Sequence, residues 1–389
     1  MNLQHWEQQL DARRLSDRLA AVREIAQAVV TGRLPVAQPT PYMNLHCHTF
    51  FSYNAFGWSP SHIAWIARRD GWSMAGIVDF DVLDGLEEFQ EAGRLLGVRT
   101  TVGIESRVFI DAYRDRVLNS PNEPGICYFM GVGIPAMPRI GTPAAKTLER
   151  LAAIARLRTQ AIIDALNAYL HPVAIDFQRD LIPLTAMGNA TERHILKAYH
   201  EKSVHTYPEE RSLAGFWADR LGSDPGDVQA MLKDTVRLFE LMRARLMKHG
   251  GVGYVQPDPK NYPSLDEFIA MVQECGGLPA YAYLDGTSDG ESDIGALLHF
   301  FRERGVRVVN VIPDRNWNIK DPAEKASKVA RLDAMIRACR ELDLHVVAGT
   351  ELNKQGQRLI DDFTAPELAK HLHAFVSGAE FVHSHAQSR

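Results

Sequence analysis

The sequence predicts an α/β protein whose strands form a seven-stranded barrel, with a helical insertion between the fourth and fifth strands. Two observations carry that expectation. Apolar strands alternate with helical segments over residues 41–136 and again over 271–389. Such alternation argues for a parallel sheet, and repetition of the unit favours a barrel. Over 137–270 the strand signal disappears and helical spacing replaces it. The chain therefore divides into an amino-terminal helix and linker (1–40), a barrel in two pieces (41–136 and 271–389) and a helical insertion subdomain (137–270).

In order, residues 4–31 read as one helix, with Leu10, Leu15, Leu19, Ala20, Val22, Ile25 and Val29 at helical spacing. Gly32 can end it, and Pro35, Pro39 and Pro41 make an extended linker. This segment docks on the barrel or mediates self-association into a homo-oligomer. A short strand over 43–45 follows. Ser59-Pro60-Ser61 starts a helix that runs to Asp70, with Pro60 suited to its first turn. Then come a strand at 74–79, a helix over 84–96 closed by Gly97, and strands at 99–105, 126–132, 278–283, 306–312 and 344–350. In the insertion, Leu148–Leu170 is an amphipathic helix, with others expected at 191–202, 211–221 and 225–248.

Composition narrows the class without choosing the chemistry. The chain has 389 residues, 46% hydrophobic and 23% charged, with a net charge of −5. That balance gives no bulk signal for a nucleic-acid or membrane partner. Cys47, Cys127, Cys275 and Cys339 are scattered and read as reduced thiols. With no basic-then-apolar leader and no apolar run of membrane length, the cytoplasm is the expected compartment.

The chemistry gathers at Asn44-Leu45-His46-Cys47-His48-Thr49. On a strand, His46 and His48 share a face while Leu45 and Cys47 take the other. Gly103-Ile104-Glu105 and Gly349-Thr350-Glu351 end two later strands alike, and each glycine leaves room on the face of its glutamate. A buried lone carboxylate is costly without a cation or hydrogen-bond partners. Two imidazoles and two carboxylates at strand ends would satisfy one another around one divalent ion, and such a set suits Zn²⁺, Mn²⁺ or Fe²⁺ better than Ca²⁺. The plainer alternative pairs Glu105 and Glu351 with Arg or Lys at the rim.

These motifs, with Val78-Asp79-Phe80-Asp81, Gly85-Leu86-Glu87-Glu88-Phe89, Ala280-Tyr281-Ala282-Tyr283 and Gly349-Thr350-Glu351-Leu352-Asn353 in that order, resemble the polymerase and histidinol phosphatase (PHP) family of metal-dependent phosphoesterases. The resemblance implies a distorted seven-stranded TIM-like barrel that holds up to three adjacent metals. One ligand set of the family matches His46, His48, Glu105 and Glu351, with Glu in place of Asp at the last. Other ligand positions are replaced, by Tyr53, Phe80, Tyr128, Tyr283 and Asn353. The resemblance thus implies one metal position kept and its neighbours lost. Tyr128, Tyr283 and Asn353 keep polar tips that could meet substrate. Arg193 and His194 fall in the insertion near a family substrate-binding motif, although His194 could equally be an ordinary core or surface residue.

Arg315 follows an apolar strand and should point into the barrel mouth, where it suits a phosphate or carboxylate. Alternatively it pairs with Asp314 or Asp285. Asp79 reads as a structural hydrogen-bonding residue, His383 and His385 as part of a frayed tail, and His371 and His373 as exposed helix positions.

The expectation is a hydrolase using one divalent metal on a small anionic, phosphorylated substrate. His194 or Tyr283 would move protons, and Arg315, Asn353, Tyr128 and Arg193 would contact substrate. The alternatives are a ligand-binding barrel that has lost catalysis, and a mononuclear lyase or C–N or C–O hydrolase.

Overall fold

The computed structural model describes residues 3–388. Seven strands form one sheet in chain order: β1 (Met43–Cys47), β2 (Met74–Phe80), β3 (Thr100–Phe109), β4 (Ile126–Val132), β5 (Leu278–Tyr283), β6 (Val308–Val311) and β7 (His345–Ala348). The sheet curls into a nearly closed barrel. Its edges meet where the His48 amide donates to Glu351 O at 2.9 Å. Gly349 makes that approach possible: a Cβ there would lie 2.4 Å from His46 N and 2.5 Å from Asn44 Oδ1. Gly103 serves β4 in the same way, since a Cβ would meet Gly131 O at 2.3 Å. Both glycines thus make room for a neighbouring strand.

The sheet is mixed where a parallel one was expected. β4 runs antiparallel to β3 and to β5, and the other four pairings are parallel. Residues 110–125 connect β3 to β4 with only a short 3₁₀ turn, Asp111–Tyr113. With no crossover helix to carry the chain back along the sheet, the next strand returns antiparallel.

The expected single helix at 4–31 is two, α1 (Leu3–Leu10) and α2 (Leu15–Val30). Residue Asp11 leaves the helix to serve the barrel. Its carboxylate accepts from Ser59 N at 2.7 Å and pairs with His62 Nδ1 at 2.7 Å, at the start of α3 (Pro60–Arg69). Ser59 Oγ caps α3 by accepting from His62 N, and Pro60 occupies its first turn. Arg18 of α2 spans to Glu88 of α4 (Leu86–Leu96) and also donates to Ala12 O and Arg13 O, which pins the break in place.

The carboxyl-terminal segment is an ordered helix, Leu372–Gln387, rather than a frayed tail. It crosses the amino-terminal end of the barrel. His383 Nδ1 donates to Thr100 O, His385 Nε2 donates to Gly276 O, and Gly378 lies directly on the Val346 backbone. Those contacts account for both histidines without a metal. His371 is likewise held, by Asp333 at 2.7 Å, while His373 is exposed.

A second compact unit comprises Ala152–Asp258. It has its own core, with Leu166, Leu170, Tyr199 and Trp217 fully buried. Its helices include Glu192–Thr206, Glu210–Leu221, Pro225–Leu232 and Thr235–Met242. The helix expected over 225–248 breaks at Asp234, whose carboxylate accepts from Arg237 N and starts a new helix. Among the described residues, no helix is long and apolar enough to cross a membrane.

Candidate metal centre

Alternation along each strand selects which side chains face the barrel interior. In β1 that face carries Asn44 and His46, and His48 follows on the same side at the mouth. Phe80, Glu105 and Tyr128 face the same interior from β2, β3 and β4. Glu105 lies mid-strand, not at a strand end as expected, because β3 goes on pairing with β4 as far as Phe109. Glu351 enters from just beyond β7.

Four side chains converge. His46 Nε2 lies 3.4 Å and His48 Nε2 3.2 Å from Glu105 Oε2. One donor atom each from His46, His48 and Glu351 lies within 4.8 Å of the others. All four residues are buried. His46 Nε2, His48 Nε2 and Glu105 Oε2 have no hydrogen-bond partner that meets normal geometry. Buried polar atoms are almost always satisfied, so three orphans aimed at one point are informative. The donor set of two imidazoles and two carboxylates, with its orphan atoms pointing inward, fits a divalent transition ion.

The electrostatics agree with that fit. Burial alone would lower the pKa of His46, but hydrogen bonding and charge from Glu105, the charge of Glu351 and a bond to Asn310 together raise it. Burial would raise Glu105, yet the two histidines outweigh it and hold the carboxyl below its ordinary range. Glu351 is pushed down to about 2 against its burial, chiefly by the charges of Arg315, His46 and His48. The protein thus holds two anionic carboxylates at a buried point and draws positive charge toward them.

The imidazoles are aimed by partners that sequence inspection passed over. His46 Nδ1 donates to Asn310 Oδ1 at 2.6 Å, which leaves Nε2 as the lone-pair nitrogen toward the site. His48 Nδ1 meets Ser52 Oγ at 3.3 Å, and Ser52 Oγ donates to Asp79 Oδ1 at 2.6 Å. Asp79 also accepts from Thr49 N and Thr49 Oγ1, so it organises the loop behind the histidines. Asn44 joins the barrel edges: Nδ2 donates to Thr350 and Leu359, and Oδ1 accepts from His46 N and Thr350 N. The signal for Asn310 was available. It is one polar residue in the apolar run Val306-Arg307-Val308-Val309-Asn310-Val311-Ile312, at an inward position. Replacing it by the similarly sized Leu should leave the fold intact, because Asn310 Nδ2 has no partner. Metal affinity should fall about 10–100-fold, measured by calorimetric titration with Zn²⁺ or Mn²⁺.

The remaining expected site residues divide. Arg315 Nη2 donates to Glu351 Oε2 at 2.9 Å, so its partner is neither Asp314 nor Asp285. Asp285 is taken by Lys328, and Asp314 accepts from Asn318. Tyr128 is close enough to Arg315 for their charges to interact. Phe80 stacks on His48, with ring centres 4.5 Å apart and planes inclined by 16°, and thereby walls one side of the centre. Tyr53 is partly buried in the loop after His48.

Tyr283 is placed differently from the expectation. Ala282 pairs with the inward-facing Asn310, so Tyr281 and Tyr283 face the surrounding helices. The buried Tyr283 hydroxyl lies against Gly286, and burial, Glu291 and Asp285 push its pKa up. That position removes Tyr283 from proton transfer at the centre. Asn353 follows Leu352, whose backbone is left-handed (φ 55°), and sits partly buried beyond the strand.

Both insertion candidates have work within their own unit. His194 completes a capping box, its Nδ1 accepting from Thr191 N at 3.2 Å. Burial, then the Lys197 charge, lowers its pKa to about 4, so the ring is neutral near pH 7. Arg193 pairs with Glu240.

No protein-family model matches this chain, and no curated protein matches it. Solved structures share its fold. An amidohydrolase from Chromobacterium violaceum, solved with bound sulfate and no metal, is similar with a TM-score of 0.54 at 16% identity, over 86% of this chain and 96% of its own. A Bifidobacterium adolescentis protein, provisionally assigned as a metal-dependent phosphoesterase, is similar with a TM-score of 0.52 at 18% identity, over 86% and 97%. At such identities the likeness establishes a shared fold along nearly the whole of both relatives.

Proposed function

Results

Sequence analysis

The sequence predicts an α/β protein whose strands form a seven-stranded barrel, with a helical insertion between the fourth and fifth strands. Two observations carry that expectation. Apolar strands alternate with helical segments over residues 41–136 and again over 271–389. Such alternation argues for a parallel sheet, and repetition of the unit favours a barrel. Over 137–270 the strand signal disappears and helical spacing replaces it. The chain therefore divides into an amino-terminal helix and linker (1–40), a barrel in two pieces (41–136 and 271–389) and a helical insertion subdomain (137–270).

In order, residues 4–31 read as one helix, with Leu10, Leu15, Leu19, Ala20, Val22, Ile25 and Val29 at helical spacing. Gly32 can end it, and Pro35, Pro39 and Pro41 make an extended linker. This segment docks on the barrel or mediates self-association into a homo-oligomer. A short strand over 43–45 follows. Ser59-Pro60-Ser61 starts a helix that runs to Asp70, with Pro60 suited to its first turn. Then come a strand at 74–79, a helix over 84–96 closed by Gly97, and strands at 99–105, 126–132, 278–283, 306–312 and 344–350. In the insertion, Leu148–Leu170 is an amphipathic helix, with others expected at 191–202, 211–221 and 225–248.

Composition narrows the class without choosing the chemistry. The chain has 389 residues, 46% hydrophobic and 23% charged, with a net charge of −5. That balance gives no bulk signal for a nucleic-acid or membrane partner. Cys47, Cys127, Cys275 and Cys339 are scattered and read as reduced thiols. With no basic-then-apolar leader and no apolar run of membrane length, the cytoplasm is the expected compartment.

The chemistry gathers at Asn44-Leu45-His46-Cys47-His48-Thr49. On a strand, His46 and His48 share a face while Leu45 and Cys47 take the other. Gly103-Ile104-Glu105 and Gly349-Thr350-Glu351 end two later strands alike, and each glycine leaves room on the face of its glutamate. A buried lone carboxylate is costly without a cation or hydrogen-bond partners. Two imidazoles and two carboxylates at strand ends would satisfy one another around one divalent ion, and such a set suits Zn²⁺, Mn²⁺ or Fe²⁺ better than Ca²⁺. The plainer alternative pairs Glu105 and Glu351 with Arg or Lys at the rim.

These motifs, with Val78-Asp79-Phe80-Asp81, Gly85-Leu86-Glu87-Glu88-Phe89, Ala280-Tyr281-Ala282-Tyr283 and Gly349-Thr350-Glu351-Leu352-Asn353 in that order, resemble the polymerase and histidinol phosphatase (PHP) family of metal-dependent phosphoesterases. The resemblance implies a distorted seven-stranded TIM-like barrel that holds up to three adjacent metals. One ligand set of the family matches His46, His48, Glu105 and Glu351, with Glu in place of Asp at the last. Other ligand positions are replaced, by Tyr53, Phe80, Tyr128, Tyr283 and Asn353. The resemblance thus implies one metal position kept and its neighbours lost. Tyr128, Tyr283 and Asn353 keep polar tips that could meet substrate. Arg193 and His194 fall in the insertion near a family substrate-binding motif, although His194 is equally compatible with an ordinary core or surface residue.

Arg315 follows an apolar strand and should point into the barrel mouth, where it suits a phosphate or carboxylate. Alternatively it pairs with Asp314 or Asp285. Asp79 reads as a structural hydrogen-bonding residue, His383 and His385 as part of a frayed tail, and His371 and His373 as exposed helix positions.

The expectation is a hydrolase using one divalent metal on a small anionic, phosphorylated substrate. His194 or Tyr283 would move protons, and Arg315, Asn353, Tyr128 and Arg193 would contact substrate. The alternatives are a ligand-binding barrel that has lost catalysis, and a mononuclear lyase or C–N or C–O hydrolase.

Overall fold

The computed structural model describes residues 3–388. Seven strands form one sheet in chain order: β1 (Met43–Cys47), β2 (Met74–Phe80), β3 (Thr100–Phe109), β4 (Ile126–Val132), β5 (Leu278–Tyr283), β6 (Val308–Val311) and β7 (His345–Ala348). The sheet curls into a nearly closed barrel. Its edges meet where the His48 amide donates to Glu351 O at 2.9 Å. Gly349 makes that approach possible: a Cβ there would lie 2.4 Å from His46 N and 2.5 Å from Asn44 Oδ1. Gly103 serves β4 in the same way, since a Cβ would meet Gly131 O at 2.3 Å. Both glycines thus make room for a neighbouring strand.

The sheet is mixed where a parallel one was expected. β4 runs antiparallel to β3 and to β5, and the other four pairings are parallel. Residues 110–125 connect β3 to β4 with only a short 3₁₀ turn, Asp111–Tyr113. With no crossover helix to carry the chain back along the sheet, the next strand returns antiparallel.

The expected single helix at 4–31 is two, α1 (Leu3–Leu10) and α2 (Leu15–Val30). Asp11 leaves the helix to serve the barrel. Its carboxylate accepts from Ser59 N at 2.7 Å and pairs with His62 Nδ1 at 2.7 Å, at the start of α3 (Pro60–Arg69). Ser59 caps α3 by accepting from His62 N, and Pro60 occupies its first turn. Arg18 of α2 spans to Glu88 of α4 (Leu86–Leu96) and also donates to Ala12 O and Arg13 O, which pins the break in place.

The carboxyl-terminal segment is an ordered helix, Leu372–Gln387, rather than a frayed tail. It crosses the amino-terminal end of the barrel. His383 Nδ1 donates to Thr100 O, His385 Nε2 donates to Gly276 O, and Gly378 lies directly on the Val346 backbone. Those contacts account for both histidines without a metal. His371 is likewise held, by Asp333 at 2.7 Å, while His373 is exposed.

A second compact unit comprises Ala152–Asp258. It has its own core, with Leu166, Leu170, Tyr199 and Trp217 buried. Its helices include Glu192–Thr206, Glu210–Leu221, Pro225–Leu232 and Thr235–Met242. The helix expected over 225–248 breaks at Asp234, whose carboxylate accepts from Arg237 N and starts a new helix. Among the described residues, no helix is long and apolar enough to cross a membrane.

Candidate metal centre

Alternation along each strand selects which side chains face the barrel interior. In β1 that face carries Asn44 and His46, and His48 follows on the same side at the mouth. Phe80, Glu105 and Tyr128 face the same interior from β2, β3 and β4. Glu105 lies mid-strand, not at a strand end as expected, because β3 goes on pairing with β4 as far as Phe109. Glu351 enters from just beyond β7.

Four side chains converge. His46 Nε2 lies 3.4 Å and His48 Nε2 3.2 Å from Glu105 Oε2. One donor atom each from His46, His48 and Glu351 lies within 4.8 Å of the others. All four residues are buried. His46 Nε2, His48 Nε2 and Glu105 Oε2 have no hydrogen-bond partner of normal geometry. Buried polar atoms are almost always satisfied, so three orphans converging on one point are informative. Two imidazoles and two carboxylates arranged in this way fit a divalent transition ion.

The electrostatics agree with that fit. Burial alone would lower the pKa of His46, but the close approach and charge of Glu105, the charge of Glu351 and the bond to Asn310 together raise it. Burial would raise Glu105, yet the two histidines outweigh it and hold the carboxyl below its ordinary range. Glu351 is pushed down to about 2 against its burial, chiefly by the charges of Arg315, His46 and His48. The protein thus holds two anionic carboxylates at a buried point and draws positive charge toward them.

The imidazoles are aimed by partners that the motif pattern does not single out. His46 Nδ1 donates to Asn310 Oδ1 at 2.6 Å, which leaves Nε2 as the lone-pair nitrogen toward the site. His48 Nδ1 meets Ser52 Oγ at 3.3 Å, and Ser52 Oγ donates to Asp79 Oδ1 at 2.6 Å. Asp79 also accepts from Thr49 N and Thr49 Oγ1, so it organises the loop behind the histidines. Asn44 joins the barrel edges: Nδ2 donates to Thr350 and Leu359, and Oδ1 accepts from His46 N and Thr350 N. A signal for Asn310 does exist. It is the one uncharged polar residue in the apolar run Val306-Arg307-Val308-Val309-Asn310-Val311-Ile312. Replacing it by the similarly sized Leu should leave the fold intact, because Asn310 Nδ2 has no partner to lose. Metal affinity should fall about 10–100-fold, measured by calorimetric titration with Zn²⁺ or Mn²⁺.

The remaining expected site residues divide. Arg315 Nη2 donates to Glu351 Oε2 at 2.9 Å, so its partner is neither Asp314 nor Asp285. Asp285 is taken by Lys328, and Asp314 accepts from Asn318. Tyr128 is close enough to Arg315 for their charges to interact. Phe80 stacks on His48, with ring centres 4.5 Å apart and planes inclined by 16°, and walls one side of the centre. Tyr53 is partly buried in the loop after His48.

Tyr283 is placed differently from the expectation. Ala282 pairs with the inward-facing Asn310, so Tyr281 and Tyr283 face the surrounding helices. The buried Tyr283 hydroxyl lies against Gly286, and burial, Glu291 and Asp285 push its pKa up. That position removes Tyr283 from proton transfer at the centre. Asn353 follows Leu352, whose backbone is left-handed (φ 55°), and sits partly buried beyond the strand.

Both insertion candidates have partners within their own unit. His194 completes a capping box, its Nδ1 accepting from Thr191 N at 3.2 Å. Burial, then the Lys197 charge, lowers its pKa to about 4, so the ring is neutral near pH 7. Arg193 pairs with Glu240.

No protein-family model matches this chain, and no curated protein matches it. Solved structures share its fold. An amidohydrolase from Chromobacterium violaceum, solved with bound sulfate and no metal, is similar with a TM-score of 0.54 at 16% identity, over 86% of this chain and 96% of its own. A Bifidobacterium adolescentis protein, provisionally assigned as a metal-dependent phosphoesterase, is similar with a TM-score of 0.52 at 18% identity, over 86% and 97%. At such identities the likeness establishes a shared fold, and it runs along nearly the whole length of both relatives.

Proposed function

We propose that this chain is a metal-dependent hydrolase of PHP type, using one divalent transition ion on a small anionic, phosphorylated substrate. The observation that carries the reading is the convergence of three buried donor atoms without a normal hydrogen bond, on His46, His48 and Glu105, with the Glu351 carboxylate alongside. Without a ligand those atoms have only their mutual ion-pair contacts at 3.4 and 3.2 Å and no hydrogen bond of normal geometry, which is rare for buried polar atoms. His46, His48, Glu105 and Glu351 would hold the ion. Once bound, such an ion supplies Lewis-acid chemistry, drawing charge from a substrate oxygen and making water nucleophilic near neutral pH.

The chain's own groups do the rest. Asn310 and the Ser52–Asp79 pair keep the two imidazoles aimed. Arg315 reaches in from the short helix Asp314–Trp317, where its guanidinium can receive an anionic oxygen. Tyr128 presents a hydroxyl from the same inner face, and Phe80 keeps water from the flank of His48. His194, neutral and engaged in its cap, is given no proton-transfer step.

The test is a substrate panel with chelated and Mn²⁺- or Zn²⁺-loaded protein. It should span phosphomonoesters, linear and cyclic phosphodiesters, simple esters and amides, the last because one fold relative is named an amidohydrolase. Metal-dependent turnover of a phosphoester is the expected result. Turnover of amides or esters alone would replace the phosphoesterase reading, and no metal-dependent turnover of any class would remove the hydrolase.

A further inference from the structure

We propose that the Arg315 guanidinium is a built-in second cation: it takes the place beside Glu351 that a second metal ion would take, and so restricts the centre to one ion. The inference rests on the metal reading above and deepens it.

Arg315 Nη2 donates to Glu351 Oε2 at 2.9 Å, and Gln357 Nε2 approaches the same oxygen at 3.4 Å. That oxygen is therefore committed to donors from the protein. Both of these hydrogen bonds to the Glu351 carboxylate go to Oε2, which leaves Oε1 as the oxygen for an ion. Arg315 is also within electrostatic reach of Glu105. The flat stack of Phe80 on His48 offers no donor atom.

Charge counting leads to the same conclusion. Glu105, Glu351 and Arg315 together leave one net negative charge, which a single divalent ion turns to one net positive. An anionic substrate then meets attraction. A second divalent ion would raise the total to three positive charges within a few ångströms, in a buried place where repulsion is strong. Without the arginine, one ion and two carboxylates would cancel. The side chain is 45% exposed, and its other N–H groups make no hydrogen bond among the described residues. They therefore face the mouth and can meet a substrate anion.

The experiment is Mn²⁺ titration of the chelator-stripped full chain by calorimetry, with elemental analysis after desalting. Wild type should bind one ion per chain. Arg315→Asp, which exchanges the guanidinium for a further carboxylate, should bind two. Arg315→Ala should bind its first ion at least about tenfold tighter, because a repelling charge has gone. Arg315→Lys should behave as wild type, which guards against a general effect of disturbing the loop. One ion in wild type with unchanged Arg315→Asp and Arg315→Ala would overturn the arginine's role and leave the metal reading standing. Two ions in wild type would overturn the arginine's role as well. No Mn²⁺ in wild type or in any variant would overturn both.

Discussion

Glu105→Gln is expected to lose the bound ion and the activity together while the barrel stays folded. Glu105 Oε2 is the atom that both imidazoles face, at 3.4 and 3.2 Å. The amide keeps the size but removes the charge, so a divalent ion would meet one carboxylate in place of two. Altering the outer partners of a metal site costs about 10–100-fold in affinity. Removal of a direct anionic donor should cost more, at least about a hundredfold. Elemental analysis and calorimetry read the metal, and turnover on the substrate panel reads the activity. Activity equal to wild type would place the chemistry elsewhere.

The metal-free protein adds a check on stability. Glu105 has a lowered pKa when folded, so its contribution is present above the ordinary carboxylate range and is lost as pH falls through the folded value. His46 has a raised pKa, so its contribution is present below the ordinary imidazole value of about 6.5 and is lost as pH rises through the folded value. Both are fully in place only between the two ordinary values. In chelator, wild type should therefore exceed Glu105→Gln in stability most clearly near pH 5–6. The gap should narrow toward pH 8, as measured by urea midpoints.

Arg18→Ala should destabilise the barrel unit by about 3–5 kcal/mol, the usual cost of breaking a buried ion pair by removing one partner. Arg18 and Glu88 are nearly inaccessible, with side-chain exposures of 5% and 2%. Arg18 Nε donates to Glu88 Oε1 at 2.8 Å, and a second guanidinium N–H donates to Oε2. Ser61 also donates to Glu88, through its amide and its hydroxyl. With the arginine gone, Ser61 alone would face a buried carboxylate. The double variant Arg18→Met with Glu88→Leu should recover most of the loss, because no uncompensated charge remains. Urea unfolding measures both. A loss below about 1 kcal/mol for Arg18→Ala would show that α1 and α2 are accessory to the barrel rather than part of it.

The outcome at particular residues shows how far local pattern reaches. Ser59-Pro60 starts α3, and Gly97 closes α4 in a left-handed cap, because capping chemistry operates within one helical turn. The two-residue period of a strand puts His46 and His48 on one side, and the recurrence of strand and helix announces the barrel. All of these depend on residues a few positions apart, and the order of residues alone determines them.

Tertiary structure decided the rest, since the partners lie far apart in the chain. His46 finds Asn310 across 264 positions, and Asn44 finds Thr350 across 306. Only closure of the barrel brings them together. The stretch Leu278-Pro279-Ala280-Tyr281-Ala282-Tyr283 alternates cleanly, but alternation does not say which face is inside. Pairing with β6 chose the alanines and turned Tyr283 outward. Arg315 had acidic neighbours in sequence at Asp314 and in the loop at Asp285, yet it meets Glu351, because β6 and β7 lie side by side and both lead to the mouth. A long, flexible, charged side chain pairs with whichever opposite charge the fold places within reach, and sequence distance carries no record of that reach.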